Sequence, residues 1–83
     1  MITLTEELKA EILNCKDEIE YIVSLKTITR EDKYKLNELY GKFIVKGVNL
    51  CTSCGITEIR YAQRRLYNRY IIVNPNYTNN IFN

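Results

Sequence analysis

Leu4, Leu8, Ile12, Cys15, Ile19 and Ile22 recur at helical spacing and mark one apolar stripe along the front of the chain. The stripe predicts an amphipathic helix over 5–25, closed by the Leu25-Lys26-Thr27 turn. Thr3 with Glu6 fits a capping box, Thr5 is the alternative cap, and the first-turn acids suit the helix dipole. A second helix opens at Thr29, followed by Glu31 and Asp32. Its buried face is Leu36, Leu39, Tyr40 and Phe43, and Lys46-Gly47 is its expected stop. The short link between these two helices predicts an antiparallel hairpin.

A third helix is expected from Thr52 or Ser53 to about Tyr70, with Ile56, Ile59, Ala62 or Gln63, Leu66 and Tyr70 inside. Arg60, Arg64, Arg65, Arg69 and Asn68 fall on its flank and opposite face. Beyond it the pattern changes. Ile71-Ile72-Val73 is a short β-prone run, stopped by Asn74-Pro75-Asn76. The uncharged segment from Tyr77 on spaces its apolar residues too sparsely for a core and reads as an extended arm. The expected fold class is therefore all-α: a small three-helix bundle over 1–70, with a C-terminal extended arm over 71–83.

Length and composition narrow the picture. Eighty-three residues make one small domain, marginal in stability unless a metal, a disulfide or a partner helps. No apolar run reaches the roughly 20 residues that span a bilayer. The Met1–Glu7 start lacks the basic and apolar regions of a signal peptide, so synthesis inside a cell with reduced thiols is expected. The net charge of +2 conceals a division. Residues 1–40 hold nine acids and six bases, about −3; residues 41–83 hold six bases and one acid, about +5. That asymmetry suits a basic contact surface or head-to-tail pairing between copies.

The Cys51-Thr52-Ser53-Cys54 stretch is the one motif with latent chemistry. As a zinc site it is half complete: the chain has no His, and Cys15 would be the third thiolate. As a redox motif it gains from thiolate stabilisation at a helix N-terminus, but no β-strand precedes it. The remaining reading is a tight, capped entry into the basic helix, with Cys15 as plain core. Cys51, Cys54 and Cys15 are thus weak metal candidates beside a structural hinge, and no cofactor is expected.

Four arginines within ten residues, interleaved with Tyr61, Tyr67 and Tyr70, suit phosphate gripping and base stacking. They equally suit a solvated face or one paired with the acidic first helix. Seven tyrosines without a tryptophan favour protein interfaces, and Tyr21, Tyr34 and Tyr61 lie off the apolar stripes. With no His and no Gly-rich phosphate loop, enzymatic constellations are absent and catalysis is not expected.

The segments Leu36-Asn37-Glu38-Leu39-Tyr40-Gly41-Lys42-Phe43 and Gly47-Val48-Asn49-Leu50-Cys51-Thr52-Ser53-Cys54 carry a resemblance. Across about residues 36–70 the chain resembles small Cys-x-x-Cys helical proteins of Bacteroidetes bacteriophages, crAss-like phages among them. The resemblance implies a phage protein with a virion-associated or DNA-packaging-related role; the expected function is a non-enzymatic structural protein, made in the host cytoplasm and docked in multiple copies onto a capsid or portal vertex. It carries over no catalytic residue. The expected partners are other proteins of the assembly, with no membrane and no small-molecule substrate. Docking would use Tyr-rich surfaces and the arm residues Ile71, Ile72, Val73, Tyr77, Ile81 and Phe82, the arm adding a strand to a partner sheet. The alternative is a nucleic-acid-binding module built on Arg60, Arg64, Arg65 and Arg69 with Tyr61 and Tyr67.

Overall fold

In a computed structural model, residues 2–46, 56–79 and 81–82 are described, Ile56 by its backbone alone. Among them are four helices and no strand: α1 (Glu6–Asn14), α2 (Lys16–Val23), α3 (Arg30–Phe43) and α4 (Ile56–Val73). The chain is all-α, as the periodicity implied. Residues 47–55, with Cys51 and Cys54, lie outside the described residues, so the hinge, zinc and redox readings of that motif are not addressed.

The expected first helix is two. Asn14 and Cys15 are weak helix formers, and Cys15 takes φ −104°, ψ 17°. Its N–H is shared between Glu11 O and Ile12 O, both at 3.1 Å, while its own carbonyl accepts from Ile19 N–H at 3.0 Å. The ladder therefore bends without parting. Both halves pack on α4, with Leu8 and Ile12 from α1 and Ile19, Ile22 and Val23 from α2 in the core. Thr5, not Thr3, caps α1, its Oγ1 accepting from Leu8 N–H at 3.1 Å. With Leu8 at the third helical position, no side chain reaches back to close a box.

α3 keeps its predicted cap and face. Thr29 Oγ1 accepts from Asp32 N–H at 3.2 Å, and Asp32 Oδ2 accepts from Thr29 N–H at 3.0 Å. The Thr29 N–H first, then the Thr29 and Tyr21 hydroxyls, donate to the Asp32 carboxyl and hold it below its usual range. Stability from Asp32 is therefore present above the ordinary carboxylate pKa and lost as pH falls through its depressed value. Thr29→Ala is expected to cost about 1 kcal/mol in urea unfolding at neutral pH, with less loss in acid; equal loss at both would contradict the reciprocal cap.

Leu36, Leu39, Tyr40 and Phe43 are buried as expected. α3 nevertheless stops at Phe43 rather than at Lys46-Gly47. Ile44 leaves the helix to enter the core, and its carbonyl accepts from Ile2 N–H at 2.6 Å.

The C-terminal segment differs most from expectation. Ile71, Ile72 and Val73 form the last turn of α4 instead of a β-prone run. The helix therefore continues past the expected boundary at residue 70. The residues after it turn at Asn74-Pro75 and lie back on the helices instead of extending as an arm. Tyr77 meets Tyr70 edge-on, ring centroids 5.3 Å apart, and Phe82 sits 5.3 Å from Tyr67. Asn79 fastens the return: its Nδ2 donates to Val23 O at 3.2 Å, and its Oδ1 accepts from Ile81 and Phe82 N–H at 3.0 Å. Sparse apolar spacing suffices because only two aromatic rings must be seated.

Candidate functional site

α4 decides what the basic residues do. Its inner side buries Ile59, Ala62, Gln63, Leu66, Tyr67, Arg69 and Tyr70. Sequence left Ala62 and Gln63 as alternatives; both are inside. Gln63, a fully buried amide, needs partners for every polar atom. It has them. Nε2 donates to Ile22 O at 2.7 Å and to Leu25 O at 3.0 Å, and Oε1 accepts from Arg60 Nη1 at 2.6 Å.

Arg60 completes the arrangement. Nη1 also donates to Leu25 O at 2.8 Å and Nη2 to Lys26 O at 2.6 Å. With Asn79 on Val23 O, three side chains from the second half of the chain satisfy the carbonyls where α2 ends. A cation at a helix C-terminus also complements its dipole.

The other arginines divide in the same way. Arg65 Nη1 donates to Tyr40 Oη at 2.7 Å, and its guanidinium stacks on the Tyr40 and Tyr61 rings at 5.7 and 5.6 Å. Arg69, expected on the outer flank, is only 8% exposed and donates to Ile2 O at 2.7 Å. Arg64 alone of the four is exposed and makes no hydrogen bond among the described residues; it lies over Phe82 at 5.7 Å. Tyr67 is buried under the returning tail, while Tyr61 is 62% exposed. The grouped candidates therefore separate into structural clamps (Arg60, Arg65, Arg69, Tyr67) and an outer pair (Tyr61, Arg64).

Cys15 is half-buried at the bend between α1 and α2, its sulfur 3.9 Å from Lys42 Nζ. Among the described residues, no three Cys, Asp or Glu side chains converge as metal ligands, and no helix is long and apolar enough to cross a membrane.

Two hollows flank the outer side of α4. One, of about 340 Å³, lies between Tyr61, Arg64 and Phe82. The other, of about 510 Å³, lies between Asn68, Ile72 and the Ile2–Leu4 segment. Thr57 and Arg60 also line the first, and Ile44, Arg65 and Arg69 the second. The spacing of Thr57, Tyr61, Arg64, Asn68 and Ile72 is the signal that finds this face: the helical complement of the buried stripe, all five exposed.

A phenol–carboxylate contact joins α4 to α2. Tyr70 Oη donates a short hydrogen bond to Glu20, and Asn74 Nδ2 donates to the same hydroxyl at 3.2 Å. Burial first, then the bond to Glu20, push Tyr70 up to about 12 from 10.0. The folded state thus holds the proton longer than the unfolded chain. Its contribution is complete below pH 10 and drains as pH rises to about 12. Tyr70→Phe is expected to flatten the alkaline fall in unfolding free energy by roughly 2 kcal/mol. Identical alkaline slopes for the two proteins would contradict the assignment.

Compared with protein-family models, curated proteins and solved structures, the chain matches none of them.

Proposed function

We propose that this chain is a non-enzymatic interaction protein that docks onto protein partners in a larger assembly through the outer face of α4. The observation that carries the reading is the division of α4. Three of its four arginines hold the chain's own carbonyls and Tyr40, while Tyr61 and Ile72 stand 62% and 63% exposed beside two hollows. Exposed aromatic and aliphatic side chains around an arginine are the composition of a protein-binding patch. A phosphate-tracking surface instead needs several free cations along one groove; Arg64 is the one fully exposed arginine of the four, and the guanidinium groups of Arg60, Arg65 and Arg69 at the hollows already donate within the chain. Docking by a free arm gives way to docking by a helix face, because the tail is seated on α2 and α4.

The virion setting rests on the phage resemblance: the protein is a component of the particle, present in multiple copies at the capsid or portal vertex. The test is sedimentation of purified particles. The chain is expected to travel with them at a fixed ratio to the main shell subunit, and Tyr61→Ala with Arg64→Glu is expected to remove it without lowering its melting temperature. Recovery only in the soluble fraction would contradict the virion setting. Tight, steeply salt-dependent binding to duplex DNA would contradict the protein-docking reading in favour of the nucleic-acid one.

A further inference from the structure

Among the described residues, four of the five large apolar side chains left exposed fall on two helix faces, and the two faces have the same design. On α4 they are Tyr61 and Ile72, within the stripe Thr57, Tyr61, Arg64, Asn68, Ile72. On α1 and α2 they are Leu13 and Tyr21, 46% and 54% exposed, within the stripe Glu6, Ala10, Leu13, Asp17, Tyr21. Both stripes advance in steps of 4, 3, 4 and 4, and at the rise of a helix both run up to about 22 Å. Their net charges differ in sign. Glu7, Glu11 and Asp17 are exposed on the first helices, make no ion pair among the described residues and outnumber exposed Lys16; on α4, exposed Arg64 with half-buried Arg60 and Arg65 beside it outnumbers exposed Glu58.

We infer that the occupant of the outer α4 face is the α1–α2 face of a second copy of this chain, an inference that rests on the docking reading above. A chain cannot join its own two faces. α1 and α2 pack against α4 through Leu8, Ile12, Ile19, Ile22, Ile59, Ala62 and Leu66, so the opposite sides of these helices point away from one another. Shape agrees with charge. Leu13 and Tyr21 are knobs on either side of the bend at Cys15, at most about 12 Å apart at helical rise; the hollows beside Tyr61–Arg64 and Asn68–Ile72 are about 11 Å apart by the same measure. Asp17 stands between the knobs, and Arg64 and Arg65 stand between the hollows.

The contact is heterologous, one face meeting a different face. Each docked copy therefore offers a fresh site, and the series closes into a ring or runs on as a filament. A single helix-on-helix patch is small, so association is weak and concentration-dependent, strengthened when copies line up on a larger scaffold.

Sedimentation equilibrium of the whole chain tests this, with Asp17→Arg and Arg64→Glu as variants at exposed positions whose melting temperatures are expected to match wild type. Wild type should exceed the monomer mass with rising concentration at low salt. Association should weaken at least about ten-fold between about 50 and about 500 mM salt. Each variant alone should be monomeric. Mixed, they should associate again, since the intact α4 face of Asp17→Arg meets the intact α1–α2 face of Arg64→Glu, and the two altered faces carry the same pair with its charges reversed. Wild type that stays monomeric to about 1 mM would overturn the second copy as occupant, and association lost with Arg64→Glu but kept with Asp17→Arg would overturn its α1–α2 face as the contact. Either result leaves particle sedimentation to decide the docking reading separately.

Discussion

Replacing Gln63 with Leu is expected to destabilise the fold by about 2 to 3 kcal/mol, although the new side chain is apolar and enters a fully buried position. Size is not the reason. Gln63 makes three hydrogen bonds of 2.6 to 3.0 Å with the end of α2 and with Arg60. Leucine removes all three at once. Ile22 O then keeps only the backbone N–H groups of Ser24 and, at a long 3.5 Å, of Leu25, and Arg60 loses the acceptor that orients it on Leu25 O and Lys26 O. A buried carbonyl stripped of its donor carries a desolvation cost that apolar packing does not offset. In a domain of this size the melting temperature should fall by about 10 to 20 °C. A fall of only a degree or two would show that the end of α2 holds itself.

The second large effect lies in the tail. Tyr77→Ala with Asn79→Ala is expected to cost about 2 to 3 kcal/mol and to expose Tyr67 and Tyr70 to solvent. Tyr77 supplies ring contacts to both, and its hydroxyl donates to Glu20 O at 3.4 Å. Asn79 ties the tail to Val23 O and organises the turn that seats Phe82. Hydrogen exchange is the readout: the last turns of α2 and α4 should lose protection together. Unchanged protection there would mean that the tail rests on the helices without supporting them. The radius of gyration, 11.9 Å, is already that of a folded chain of this length, about 12 Å.

What the sequence made legible, and what it hid, follows the range of the interactions. Thr29 with Asp32 and the face Leu36, Leu39, Tyr40 and Phe43 were readable because caps and helical periodicity depend on neighbours three or four residues away. The bend at Cys15 was not, since neither Pro nor Gly stands there and the apolar stripe continues across it. The arginines were visible as a cluster, but spacing reports the angle around a helix and not what waits opposite. Arg60 reaches carbonyls 34 and 35 residues away, and Arg69 one 67 residues away. Asn79 was hidden for the same reason. Of the outer α4 face, Tyr61 was readable as a tyrosine off the apolar stripe. Ile72 was masked by its place in a β-branched run, and became an exposed helical residue only because α4 continues to Val73.

The division of α4 into an inner side that clamps the fold and an outer side that docks is tested most directly by urea unfolding of four single variants, Arg60→Gln, Arg64→Gln, Arg65→Gln and Arg69→Gln. Arg60→Gln and Arg69→Gln should each lose about 1 to 3 kcal/mol, because each strips donors from backbone carbonyls inside the chain. Arg65→Gln should lose less, since its main partner is the Tyr40 hydroxyl. Arg64→Gln should stay within about 0.5 kcal/mol of wild type, as an exposed side chain without a hydrogen bond does. Four small and equal losses would contradict the division and return all four arginines to a solvated face open to phosphate.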